Sequence, residues 1–310
     1  MRIKPKTAVA VILVLAAIIP LFVFYLRAPV LIVTEQSFIE LYGKKRLDRE
    51  SFFSSLSLLR SVKTIEIANE AGDDVVPFAI TEASIKPYCV LFPLRFAKSA
   101  RLYRELSPNI PIVLLEGRYM EDENPTESLI GADKEGYFIY KTDINDDFYR
   151  AGLAITAMKH KSAPKDDNSA TDEGKKGKVI VFLEQKFNQM KDVFIRGLYD
   201  RGELLETHFY NYFSQYSEQP DLFCVVTAGL GSEFMEKKTG VPVISFTWLN
   251  PSLLPSEVIM TVNDSPWAQA RQAVRMVCSG AENGLIKSVF SVLDRNKFDR
   301  NVIAIIKKNR

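Results

Sequence analysis

Little in this chain is suited to holding a metal or running a hydrolytic reaction. Its 310 residues contain 3 Cys and 2 His, and no CxxC occurs. His160 and His208 stand at no ligand spacing from Cys89, Cys224 or Cys278. An odd set of widely separated cysteines also argues against a disulfide framework. Cys89 and Cys224 fall inside apolar runs, where a thiol behaves as a small hydrophobe. Charge of one sign is missing too: 40 Lys+Arg against 38 Asp+Glu leave a formal charge of +2. That balance gives no reason to expect a nucleic acid partner. There is no G-x-S-x-G, and neither histidine has a recognisable nucleophile nearby, so no catalytic constellation is expected. "GLGS" at Gly229–Ser232 lacks the lysine and remaining glycines of a phosphate loop. The carboxylate pairs beginning at Asp73 and Asp146 read as solvated loop or cap residues. No enzyme activity, cofactor or metal is expected.

What the chain does have is one long charge-free run. After Arg2, Lys4 and Lys6, no charge occurs from Ala8 to Leu26. At helical rise that stretch covers roughly 28 Å, about one hydrocarbon thickness. The basic flank predicts a cytoplasmic N-terminus and an exported remainder. A cleaved signal peptide is the competing reading. Its small-x-small cleavage site is missing, since "FVFYLRAP" follows, and Ile18 stands where a lipoprotein would need its acylated Cys. Residues 1–27 are therefore expected to be a single-pass helix in the inner (cytoplasmic) membrane. The globular part would face the periplasm or exterior.

Downstream, short apolar runs alternate with helical patterns. "VLIVT", "VKTIEI", "YCVLFP", "IPIVLLEGR" and "YFIYKTD" read as strands with helices between them, the signature of a parallel sheet with crossovers. A polar run, "KSAPKDDNSATDEGKKGK", reads as a solvated loop. The alternation then starts afresh with "KVIVFLE", "DLFCVVTAG", "VPVISFTW" and "VIMTVND". "LIKSVFSVLDRN" and "NVIAIIKKN" supply two strand-like returns. Two successive α/β units are expected, with a seam near Lys141 to Asp147.

Four segments carry a resemblance to a known family. They are "IPIVLLEGR", "TDINDDFYRAGLAITAM", "DVFIRGLYDRGELLE" and "VPVISFTWLNPSLLPSEVIMTVNDSPWAQARQAVRMV". In order of elements and diffuse motif they resemble type I periplasmic binding proteins and galactose/lactose-repressor sensor domains, over roughly residues 28–290. No DNA-reading helix-turn-helix precedes the domain. The resemblance implies two Rossmann-like lobes with parallel sheets joined by a hinge, preceded by the transmembrane helix. Lobe 1 would span 28–140, with part of 281–310 returning to it, and lobe 2 would span 141–280. Ligand would sit at the carboxyl ends of both sheets. Asp143 would end a strand at the crossing, Asp146 or Asp147 would favour the start of the next helix, and Gly152, Ala154 and Ala157 would let that helix lie close on its sheet.

The same resemblance points to Gln36, Phe38, Arg95, Glu116, Arg118, Asn188, Trp248 and Asp264 as ligand-binding candidates. Arg118 with Glu116 is either a clamp or a solvated strand-end pair, and Arg95 either binds a carboxylate or opens a surface helix. Trp248 is either a stacking platform or interdomain packing. Asp264 is either a cleft residue or, with Ser265, a helix cap. Departures from the sugar-binding pattern count against a simple sugar: Phe194, the Ala228–Gly229 pair and the Phe246–Thr247 pair stand where guanidinium and carboxylate groups are expected. The expected role is binding of a small solute for ABC-type uptake or sensing, with an ABC permease or membrane sensor protein as partner. The alternative is a ligand-free or sensory interaction module with a degenerate cleft that binds a partner membrane protein.

Overall fold

The computed structural model describes residues 26–83, 86–118, 125–130, 135–158, 177–200, 205–219, 221–298, 304 and 306. The expected anchor up to residue 25, His160 and most of the polar run 161–178 lie outside them. Among the described residues, no helix is long and apolar enough to cross a membrane. The chain divides into two compact units. Unit 1 takes the described residues up to Gly117, those from Pro125 to Lys141, and Pro266–Gly284. Unit 2 takes Arg118, Thr142–Ser265 and the residues from Leu285 onward.

Unit 1 is built on β1 (Val30–Glu35), β2 (Val62–Ile67), β3 (Cys89–Pro93), β4 (Ile112–Gly117) and β5 (Tyr137–Thr142). With β11 (Asn283–Ile286) they form one sheet in the order β11-β5-β4-β3-β1-β2. The pairs β1–β2, β1–β3, β3–β4 and β4–β5 are parallel. Val30 to Thr34 are all buried, as a parallel strand covered on both faces requires. At the edge, β2 buries Val62 and Ile67 but exposes Lys63 and Glu66. The helices are α1 (Gln36–Tyr42), α2 (Lys44–Leu58), α3 (Val75–Glu82), α4 (Ala97–Leu106), α5 (Pro125–Ile130) and, much later in the chain, α9 (Pro266–Cys278).

Unit 2 repeats the plan. Its sheet holds β6 (Lys178–Leu183), β7 (Thr207–Tyr210), β8 (Leu222–Ala228), β9 (Val243–Ser245), β10 (Val258–Asn263) and β12 (Val289–Val292), in the order β12-β10-β9-β8-β6-β7. All its pairs are parallel except β10–β12. The helices are α6 (Ile144–Thr156), α7 (Met190–Tyr199) and the short α8 (Ser232–Glu236). One side of the sheet carries an aromatic cluster centred on Phe182, whose ring lies 5.6–6.0 Å from those of Tyr210, Phe213, Tyr216 and Phe234. Cys89 and Cys224 are buried in their strands as expected, whereas Cys278 is exposed.

The division of the chain corrects the expected one. Residues 266–280 belong to unit 1, not to the second lobe, because α9 buries Trp267, Ala270, Ala273, Val274 and Val277 and packs on β1, β3 and α2. Part of 281–310 does fall in unit 1, namely Ala281–Gly284, and from Leu285 onward the chain belongs to unit 2. The small-residue face of α6 also has a different role from the one expected. Gly152 faces a helix: a Cβ built there would come within 2.3 Å of the Phe194 carbonyl on α7. A Cβ on Gly197 would come within 2.1 Å of the Tyr149 carbonyl. Two backbones meet here with no side chain between them. Gly152→Ala or Gly197→Ala should each cost about 1–3 kcal/mol by forcing α6 and α7 apart, seen as a lower urea midpoint. An unchanged midpoint would mean that the helices are not in contact at these glycines.

Candidate functional site

In open α/β sheets a ligand site forms at the carboxyl edge, beside the point where the strand order reverses. In unit 1 that point lies between β1 and β3, and in unit 2 between β6 and β8. At the unit 1 switch point the Arg95 guanidinium, just past β3, pairs with the Glu35 carboxylate at the end of β1. The pair stays accessible, with 44% of the Arg95 side chain and 19% of the Glu35 side chain exposed. Ser37 Oγ donates to Glu35 Oε2 at 3.1 Å, and the Ser37 amide donates to Asn69 Oδ1 at 2.8 Å. Arg95 also lies over the Phe96 ring, 4.4 Å from its centroid. Gln36 is exposed at the start of α1, and Phe38 stacks on Tyr42 at 5.1 Å. Glu116 is buried at the end of β4, where the Thr126 hydroxyl donates to it and Lys141 Nζ lies 3.7 Å away. Neither Glu116 nor Arg118 is therefore a solvated strand-end residue, and the structure does not pair the two.

Arg118 belongs instead to an ion network within unit 2. Its Nε donates to Asp147 Oδ2 at 2.9 Å, and its Nη1 lies 3.1 Å from Asp264 Oδ1. Its Nη2 donates to the Val262 carbonyl at 2.9 Å and lies 3.5 Å from Ser288 Oγ. Ser288 Oγ donates to Asp147 Oδ2 at 2.8 Å, and the guanidinium stands 5.1 Å from the centre of the Phe246 ring. Alongside, Asp146 pairs with Arg150 at 2.9 Å and Lys287 at 3.2 Å. Asp143 caps α6, accepting from the Asp146 amide at 2.9 Å.

The expectation that the pair beginning at Asp146 is solvated is thus overturned. Asp147 has 0% of its side chain exposed, against 13% for Arg118 and 14% for Asp264. The first turn of α6 points it inward, opposite Arg118. Its Oδ1 has no hydrogen-bond partner among the described residues. Burial pushes the Asp147 carboxyl up to about 6, against the pull of Arg118 and Ser288. Burial works against the Arg118 charge too, but Asp264 and Asp147 outweigh it and hold the guanidinium protonated. Sequence reasoning picked out Arg118 and Asp264 and missed Asp147, Ser288 and Phe246. The available signal was that a guanidinium placed at a buried strand end requires a counter-charge.

The remaining candidates are spread over unit 2. Asn188 Oδ1 accepts from Asn211 Nδ2 at 2.9 Å, and Trp248 is half-buried beyond β9. Glu184, at the switch point after β6, pairs with Lys186 at 2.8 Å. Phe194, which stands where a sugar-binding arginine was expected, is wholly buried in the core. An open cavity of about 360 Å³ exists elsewhere, beside Lys86, Pro108 and Ile110. It adjoins the residues that lead into β3 and β4, the amino edge of the unit 1 sheet, and takes in none of the candidates.

No protein-family model and no curated protein matches the chain. Solved structures do. One, described as a transcriptional activator of the comK gene from Bacillus halodurans, is 12% identical, with 90% of this chain and 94% of that chain covered and a TM-score of 0.53. An ABC transporter solute-binding protein from Conexibacter woesei is 11% identical over 89% and 94% of the two chains, with a TM-score of 0.49. A LacI transcriptional regulator from a Rhodococcus species is 11% identical over 85% and 96%, with a TM-score of 0.47. These proteins are described as solute-binding proteins and transcriptional regulators. At such identity the first of them shares a fold with this chain, the two-unit α/β architecture described above.

The Asp147 carboxyl holds its proton more tightly in the folded chain than an unfolded aspartate does at about 3.9. Its contribution to stability is full below that value and is lost as pH rises through about 6. Asp147→Asn should therefore flatten the fall in urea midpoint between acidic and neutral pH. A slope equal to that of the natural chain would show that Asp147 does not titrate there. Arg118→Ala strands two carboxylates and should cost about 3–5 kcal/mol at neutral pH, read from the same unfolding curves.

Proposed function

We propose that the chain is a membrane-tethered, extracytoplasmic binding protein for a small polar solute. The observation that carries the reading is the accessible Glu35–Arg95 pair, set at the strand-order reversal where α/β sheets take ligands. Glu184 and Lys186 occupy the corresponding place in unit 2. A carboxylate beside a guanidinium offers both acceptors and donors, which suits a solute rich in hydroxyl or amide groups. Several of the similar structures are described as transporter solute-binding proteins, three of them with a bound sugar, D-arabinose, α-D-tagatopyranose and D-allose. In this reading the protein serves ABC-type uptake or sensing with a permease or membrane sensor. The charge-free run Ala8–Leu26 tethers it to the inner membrane, with the two units on the periplasmic or exterior side.

A second reading, an interaction module without a solute, is favoured by one specific observation. Arg118 pairs with Asp147 and Asp264, and Glu116 and Asn188 each accept a hydrogen bond from another side chain. A thermal-shift screen of the full chain in detergent separates the two. A specific solute at about 100 times its dissociation constant should add about 2.7 kcal/mol and raise the midpoint by several degrees. Glu35→Gln and Arg95→Ala should abolish that shift while moving the unliganded midpoint little, since a half-exposed pair contributes about 0–1 kcal/mol. A shift that survives both substitutions would remove the pair from the site. A screen of sugars, amino acids, peptides and nucleosides that yields no shift would leave the interaction module standing.

A further inference from the structure

One face of α2 has no counterpart in the function proposed above. The inner face buries Leu47 and Ser55 and packs against α9, where Arg275 Nη2 donates to Ser57 Oγ at 3.2 Å. The outer face presents Lys45, Arg49, Phe52 and Leu56, spaced so that they fall along one line of the helix. Phe52 is 59% exposed, Phe53 59%, Leu56 51% and Leu59 45%. The two phenyl rings meet edge to face at 5.7 Å, so the apolar surface is continuous and not a scatter of single side chains. Lys44, Lys45 and Arg49 are exposed at the other end of the same helix, with the exposed Asp48 among them.

The apolar end of α2 also lies where the chain enters unit 1. Arg60 Nη1 donates to the Ala28 carbonyl at 3.2 Å, and the Val30 amide donates to the Ser61 carbonyl at 2.8 Å. Ala28 is two residues beyond the charge-free run that ends at Leu26. A tether emerging from a bilayer at this point would bring Leu59, Leu56 and Phe52 to the lipid first. Arg49, Lys45 and Lys44, one to three turns further along, would then reach anionic headgroups.

We propose that the outer face of α2 lies on the surface of an anionic bilayer, its phenyl and leucine side chains at the headgroup–acyl boundary and its basic residues on lipid phosphates. The apolar end of this face offers area that lipid can cover, and the basic end supplies attraction to anionic headgroups. A second copy of the chain is the competing occupant of this face, and the crosslinking arm of the test distinguishes it. The proposal rests on the tethering reading, and the test separates the two.

The test reconstitutes the full chain into vesicles of phosphatidylcholine with phosphatidylglycerol, some carrying brominated acyl chains that quench tryptophan at the boundary. Phe52→Trp is compared with Phe78→Trp, an equally exposed position on α3, each after subtraction of the natural chain's emission. The added emission of Phe52→Trp should fall about twofold or more with brominated lipid while that of Phe78→Trp changes little. Reversing charge with Lys45→Glu and Arg49→Glu should weaken the quenching. Chain that stays with the vesicles after an alkaline wash, with Phe52→Trp quenched no more than Phe78→Trp, overturns the docking and leaves the tether intact. Chain released by the wash overturns the tether, and with it the docking. Concentration-dependent crosslinking through Phe53→Cys without quenching assigns the face to a second copy and also overturns the proposal.

Discussion

A guanidinium that water barely reaches must find its counter-charge in the chain, and for Arg118 the chain supplies two carboxylates, a carbonyl and a hydroxyl. Asp147 comes from the first turn of α6, Asp264 from just past β10 and Ser288 from just before β12. Each of the four side chains stands within a few residues of a place where the chain passes from one unit to the other. The network therefore gathers, inside unit 2, the segments on which these passages begin or end. Its members depend on one another, because a charge left alone in such surroundings costs more than the intact pair contributes. This is a sharper constraint than apolar packing, which tolerates exchange of one hydrophobe for another.

The architecture was largely legible from pattern. Continuous apolar runs such as "VLIVT" and "CVLF" mark strands covered on both faces, and their alternation with helical spacing leads directly to two parallel α/β units. The seam near Lys141 follows from the restart of that alternation. Membership of α9 was not legible: its apolar stripe shows that it packs, but not on which sheet. That choice is made by the passage after Ser265, a matter of topology that no local spacing records. The Gly152–Gly197 contact was half visible, as a small-residue face on α6 without its partner.

The site was less legible, for a physical reason. Arg95 and Asp264 could be placed at carboxyl edges because strand ends can be read from sequence. Asp147 could not, since an acidic residue in the first turn of a helix looks the same whether it faces water and the helix dipole or turns inward to meet an arginine 29 positions earlier. Burial of a charge is decided by long-range partners, and Ser288 lies 141 residues from Asp147. Glu116 and Arg118, two residues apart and expected to act together, face different neighbours. They lie on opposite sides of the cut after Gly117, where β4 leaves its sheet.

The placement of α9 bears on the order in which the molecule can be made. Unit 1 opens with β1 at Val30, yet the helix that covers β1 and β3 is Pro266–Cys278. Unit 2 is spelled out almost entirely in the interval, and its own β12 arrives only at Val289–Val292. A ribosome or translocon therefore delivers most of both halves before either can finish its core. Until then the apolar faces of β1 and β3 stay uncovered on the α9 side. For this chain the usual sequence of N-terminal domain first, C-terminal domain second is not open, and the two halves reach completion together, within the last few dozen residues.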